Sequence, residues 1–200
     1  MAKMGRPREF DRDTAVEQAM HLFWERGYEA TSLTELKASI AGGISAPSLY
    51  AAFGSKRGLY DESVALYLAT HGQVMECLWD QTLSPREAIE TALRRSARMQ
   101  VERGHPRGCM VALGVMADCP PGNDNTHTPI RAARARNRAG ILACVKRGIA
   151  TGDFSAVVDA RATATALDSF LLGMSTLARD GATLAALDAA ITEALRVLGA

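Results

Sequence analysis

Apolar residues recur along this chain at the three- and four-residue spacing of a helical face, not in alternation. Val16, Ala19, Met20 and Phe23 share one side of a first segment, Glu17, Gln18 and Glu25 fall elsewhere, and Gly27 supplies a left-handed stop. Ser32 with Glu35 forms a capping box ahead of a second stripe, Leu33, Leu36 and Ile40. Ala41-Gly42-Gly43 breaks that stripe. Ser45 is an N-cap and Pro47 suits a first turn, so a third short helix is predicted over 46–53. Gly54-Ser55 closes it and opens a long fourth helix, Lys56 to Trp79.

Ser84, Pro85 and Glu87 start another helix, which Gly104 and Pro106 stop after about Glu102. An apolar segment from Cys109 to Ala117 runs into the turn chemistry of Cys119-Pro-Pro-Gly-Asn-Asp-Asn. Helices follow over Pro129 to Thr151, Asp159 to Arg179 and Thr183 to Leu198. No stretch has the alternation and β-branched density of a strand. The expected fold is all-α, with an N-terminal three-helix helix-turn-helix domain over 1–56 and a C-terminal helical domain over 57–200.

Of the 200 residues 48% are hydrophobic and 22% charged, which excludes a disordered, collagenous or disulfide-scaffold protein. A net charge of +1 gives no global field toward nucleic acid or acidic lipid, so such binding needs a local patch. The longest apolar stretch, Ala162 to Ala178, is interrupted by Asp168 and is too short to span a bilayer. Met1 to Arg12 has basic residues but no apolar region after them, so neither signal peptide nor membrane partner is expected. Cys77, Cys109, Cys119 and Cys144 are scattered, which reads as free thiols in a reducing, cytoplasmic setting.

Candidate chemistry concentrates in the first segment. Leu49 and Phe53 would anchor the third helix inward, leaving Ala46, Ser48, Tyr50 and Ala51 outward, where small and hydroxylated side chains admit a DNA groove. Tyr50 and Lys56 can reach phosphates, as can Thr31 or Ser32 from the second helix start. Gly5-Arg6-Pro7-Arg8 is a basic arm of the type that enters a minor groove. Acidic residues match basic ones over 1–56, so placement must do what net charge does not, with Arg6, Arg8, Lys37 and Lys56 on one side.

Three stretches, Gly5-Arg-Pro-Arg-Glu-Phe-Asp11, the run from Ala19 to Ser32, and Ser45-Ala-Pro-Ser-Leu-Tyr-Ala-Ala-Phe-Gly-Ser-Lys56, resemble the DNA-binding domain of the tetracycline-repressor (TetR) family. Arg107-Gly-Cys109 and the segment from Gly173 to Gly181 look like one subgroup of these regulators. The turn over Ile40 to Ile44 is about two residues longer than the family pattern, which either re-aims the third helix or bulges outward. The resemblance implies Thr31, Ser32, Ser45, Ala46, Ser48, Tyr50 and Lys56 as the DNA-facing set. It also implies a C-terminal ligand pocket and a two-fold dimer interface.

Apolar faces in the last two helices carry that dimer expectation: Leu167, Leu171 and Met174 on one, Leu184, Leu187, Ile191 and Leu195 on the next. For the pocket, Met75, Leu78, Met99 and Met110 are apolar and adaptable, joined by Leu113, Met116 and Phe170. Cys109, close to a helix start, is the thiol best placed for activation. The spacing of His105, Cys109, Cys119 and His127 matches no defined metal motif, and no metal or cofactor is expected. The basic run Arg131, Arg134, Arg136, Arg138, Lys146 and Arg147 reads as a solvated face, with attraction of an anionic ligand as the alternative. The expected function is a one-component regulator, a repressor, that binds a palindromic operator as a homodimer and is released by a small-molecule inducer. A thiol- or soft-metal-responsive regulator of the same fold is the alternative, and a helical interaction module without DNA binding the rival. No phosphate loop, HExxH, GxSxG or catalytic carboxylate pair argues for an enzyme.

Overall fold

The computed structural model describes residues 11–114 and 126–199; Arg6, Arg8, Met116 and Cys119, singled out above, lie outside them. Among the described residues every regular element is helical. The head consists of α1 (Arg12–Arg26), α2 (Leu33–Ser39) and α3 (Ala46–Phe53), and α4 (Lys56–Ala69) leads away from it. A 3-10 segment (His71–Trp79) follows, then α5 (Pro85–Val101), α6 (Met110–Leu113), α7 (Thr128–Thr151), α8 (Ala160–Arg179) and α9 (Leu184–Ala194). A last 3-10 turn covers Leu195–Leu198.

Caps fix most of these elements. Asp11, Ser32, Ser45, Ser55, Ser84, Asp159 and Thr183 each accept backbone N–H bonds at a helix start. Inside the head, Leu36, Ile40 and Leu49 are fully buried against Ala19, Met20 and Phe23. Leu59, Tyr60, Val64 and Tyr67 of α4 join the same core, so α4 is welded to α1 and not merely tethered to it. The main core lies in the body, where α5 packs against the 3-10 segment, α7, α8 and α9.

The expected unbroken helix from Lys56 to Trp79 is corrected: it stops at Ala69. Thr70 turns out of helical geometry (φ −117°, ψ −88°), and its hydroxyl donates back to Leu66 O at 2.7 Å. The Gln73 amide donates to Leu68 O at 2.8 Å, occupying a carbonyl that a continuing helix would have used. The apolar spacing of Met75 and Leu78 survives in 3-10 geometry, which is why the pattern does not reveal the break. Nine residues is long for a 3-10 run, and such runs mark hinges.

Head and body are tied at the far end of α1. The Trp24 indole donates to Gly108 O at 3.2 Å and stacks on His105 at 4.6 Å. Arg179, the last residue of α8, donates to Glu25 O at 2.7 Å and Trp24 O at 2.9 Å, supplying positive charge where α1's dipole is negative. Gly108 is required there: its φ is +85°, and a Cβ would meet Leu113 Cδ1 at 2.7 Å and Ser175 O at 3.0 Å.

Candidate nucleic-acid interface and ligand cavity

α2 and α3 stand on the head surface as a helix-turn-helix. Ser32 and Glu35 form a reciprocal capping box, and the Ser45 hydroxyl accepts from Ser48 N at 3.2 Å while bonding Ser48 Oγ at 2.8 Å. Leu49 and Phe53 point inward as expected, which leaves Ser45, Ser48, Tyr50 and Ala51 exposed and Ala46 half-buried. Tyr50 is 46% exposed, an aromatic ring presented to solvent. The connecting turn passes through three consecutive positive φ values at Ala41, Gly42 and Gly43. Ile44 N donates to Lys37 O at 2.8 Å, and the Gln18 side chain accepts from Ala41 N at 2.7 Å. Nothing lies within 4 Å of where a Cβ would stand on Gly42 or Gly43, so the extra length bulges outward from an anchored base.

One member of the expected DNA-facing set is corrected. Thr31 is fully buried, and its hydroxyl donates to Gly27 O at 2.7 Å, closing the end of α1. Ser32 is exposed beside it. Arg12 is bound to Glu62 at 2.6 Å, and Arg26 to Glu35, so two of the head's cations are neutralised internally. Lys37 and Lys56 remain, among the described residues of the head, as half-buried cations without a carboxylate in ion-pair reach. Lys56 Nζ rests 4.2 Å over the Tyr28 ring, and burial lowers its pKa.

A cavity of about 490 Å³ opens where α4 ends, between the 3-10 segment, α5, α6, α7 and α8. Met75, Met99 and Cys109 line it as expected. Four other expected lining residues do not: Leu78 packs on Gly140 of α7, Met110 joins the head core, Leu113 lies against Gly108, and Phe170 packs on the main core. The polar wall was missed from sequence: Arg134, Asn137 and Asp168 face the space, with Ser96 and Ser175. Arg134 donates from Nε to Val111 O at 2.7 Å and from Nη2 to Ala112 O, while Arg136 pairs with Glu76 at 2.6 Å. Arg131, Arg136, Arg138 and Lys146 of the basic run are exposed, as expected of a solvated face, while Arg134 and Arg147 are half-buried and brace neighbouring backbone carbonyls. Interruption of the apolar stretch by Asp168 was the available signal for this wall.

Tyr67 donates its hydroxyl to Cys109 Sγ at 3.2 Å, and burial raises the tyrosine pKa well above its ordinary value. Cys77 and Cys144 are buried thiols whose pKa values burial also raises. Among the described residues no three His, Cys, Asp or Glu side chains stand together as a metal site.

The expected dimer residues are corrected too. Leu167, Leu171, Met174, Leu187, Ile191 and Leu195 are at most 7% exposed in the single chain, so no partner is needed to cover these six, whereas Leu184 packs on the same core but keeps part of its surface open. Leu171 instead lines the cavity. The surface that α8 and α9 leave open carries Ala166, Ser169, Gly173 and Leu177 on one helix and Ala186, Ala189 and Glu193 on the other.

Comparison with known proteins places this geometry. A family model described as "Bacterial regulatory proteins, tetR family" matches residues 15–62, and one described as "Tetracyclin repressor-like, C-terminal domain" matches 85–194. The HTH-type transcriptional repressor ComR of Escherichia coli (strain K12) is 32% identical over 184 residues, 90% of this chain and 85% of that protein. BdcR, an HTH-type transcriptional repressor of the same organism, is 34% identical over 120 residues, 60% of each chain. A cysteine mutant of the TetR family transcriptional regulator CifR, complexed with 26bp double-strand operator DNA, superposes with a TM-score of 0.83 at 39% identity. That match covers 96% of this chain and 98% of the other.

Proposed function

The chain belongs to the tetR family of bacterial regulatory proteins, and from that premise we propose that it is a one-component, cytoplasmic transcriptional repressor acting as a homodimer. Residues 1–56 are its reading head and 57–200 its ligand-binding and dimerisation body. The observation that carries the reading is the outer face of α3, where Ser45, Ser48 and Tyr50 stand exposed over an inward Leu49 and Phe53. Hydroxyls at a helix N-terminus suit phosphate oxygens, and a small-residue face lets the helix enter a major groove. Ser32, Lys37 and Lys56 border that face. Ser45, Ala46, Ser48 and Tyr50 form its centre, and Arg6 and Arg8 provide the minor-groove arm.

Two copies joined through the open small-residue face of α8 and α9 would set their α3 helices about 34 Å apart, one turn of a palindromic operator. A small molecule entering the cavity acts as inducer by favouring a head spacing that no longer fits. Two routes carry the strain to the head: the α4 break at Thr70, and the α8–α1 tie through Arg179. Release by 100-fold needs about 2.7 kcal/mol of differential affinity.

Selection of binding DNA from a random pool tests this, with Tyr50→Ala as the control. The expected result is a palindrome that the variant fails to retain at unchanged helicity and dimer mass. An unselective pool, or equal retention by the variant, would sink it. Cys109 supports a second reading, since its thiol lies on the cavity wall with a tyrosine hydroxyl 3.2 Å away. In that reading oxidants release the operator from the native protein but not from Cys109→Ser, and an unaltered response of the variant reduces Cys109 to packing.

A further inference from the structure

Within the cavity one charged group is poorly served by the chain itself. Asp168 lies midway along α8, 8% exposed, with its carboxylate on the cavity wall. Its ion partner is Arg138, which reaches Oδ2 from 3.4 Å with a side chain 55% exposed. That is longer than a good charge-assisted hydrogen bond. Burial pushes the Asp168 pKa up, with Arg138 and Arg134 drawing it partly back. A carboxylate taken out of water with one distant donor is a standing cost unless something else completes its shell.

Four of the wall's other polar groups are engaged elsewhere. Arg134 holds α6 by two of its carbonyls, and Arg136 is held by Glu76 and lies 4.9 Å over the Trp79 ring. The Ser96 hydroxyl accepts from Gln100 Nε2 at 2.9 Å, and that of Ser175 turns toward Leu171 O. Asn137 shares this wall with Asp168, and much of the remaining lining is apolar, with two methionines able to adapt to an irregular shape.

We propose that the cavity binds an apolar molecule bearing one protonated amine, whose N–H groups donate to Asp168 while its hydrocarbon body lies against Met75, Met99 and Leu171. The assignment rests on the ligand-responsive reading above and names the class of ligand that this reading leaves open. The cavity of about 490 Å³ falls in the range of small-molecule sites, which pair an apolar lining with a few placed polar groups.

Calorimetry on the full chain near neutral pH with phenylbutylamine, phenylbutanol and phenylbutanoic acid tests the class, since the three share a body and differ in the head. The amine is expected to bind about tenfold more tightly than the alcohol, with the acid weakest. Asp168→Asn should erase the amine's advantage and leave the alcohol unchanged, and Leu172→Trp, which fills the cavity from α8, should weaken all three. The acid binding best, making Arg134 the anchor, would overturn the class. So would three equal affinities, or no binding by any probe; these rankings come from the native protein and stand even if a variant fails to fold. Operator release is read separately: an amine that binds as expected without releasing DNA sinks the induction reading and leaves the ligand class intact.

Discussion

α2 and α3 each begin on a serine whose hydroxyl accepts from the third residue on, whereas α6 and α7, which wall the cavity, begin at Cys109 and His127 with no side-chain cap. Buried polar groups divide the same way. Within the head Thr31 is buried, and Gly27 O satisfies it. The body buries Gln100, His127 and Asp168, and leaves Gln100 Oε1 and His127 Nε2 without a partner. A head whose described helices all begin on capping side chains moves as a rigid piece; a body with two uncapped helix starts and unpartnered buried polar atoms rearranges at lower cost. The contrast fits a rigid reader on an adjustable support.

Equal truncations on the two sides should therefore cost unequally. Leu49→Ala removes a side chain with no exposure from the head core, and a loss of about 3–4 kcal/mol is expected. Leu171→Ala works at the cavity edge, where part of the side chain already faces empty space, and about 2 kcal/mol is expected. Denaturant unfolding of both variants measures the difference, and equal losses would contradict it.

The tie between the two regions comes next in size. Arg179→Ala removes the guanidinium that closes α1's last carbonyls, and water can replace part of what is lost, so about 1–2 kcal/mol is expected. Hydrogen exchange should accelerate in the last turn of α1 and stay unchanged in α3. Uniform acceleration through the head would mean that Arg179 merely stabilises the fold.

This division also explains what could be read from the sequence. Head elements are short, and each is bounded by its own signals: Ser32 with Glu35, Ser45 with Pro47, Gly27 and Gly54. Their limits and inward residues are therefore local properties. Thr31 misled because a hydroxyl beside a helix start serves solvent or backbone equally well, and only the returning Gly27 carbonyl decides. In the body the apolar stripes of α8 and α9 were found, but a stripe does not name its cover. α5 and α7 bury Leu167 and Ile191 before any second copy can. The cavity's polar wall depends on α6, α7 and α8 meeting, which no window of sequence contains. The break at Thr70 hides for a related reason, since 3-10 and α geometry bury nearly the same positions over two turns.

The smallest expected effect is proton-linked and sits at the joint itself. His21 of α1 and His71 beyond the α4 break flank Trp24, with ring centroids 6.4 and 4.9 Å from it. His105 lies 4.6 Å from His71 and faces both from the loop after α5. Burial holds the pKa of His21 and of His71 below the ordinary imidazole value; the neighbouring His105 lowers both further, and Glu17 opposes, joined at His71 by Glu102. Imidazoles depressed in the folded state bind fewer protons than in the unfolded chain. Their contribution is thus complete above about pH 6.5 and is lost as the pH falls through the folded values. Melting temperature should accordingly decline below that pH. His71→Phe keeps a ring against Trp24 and Tyr67 but does not titrate, so its decline should be shallower. Equal slopes for the two proteins would assign the acid sensitivity to groups away from the joint, such as His127, whose pKa burial and Arg131 also depress.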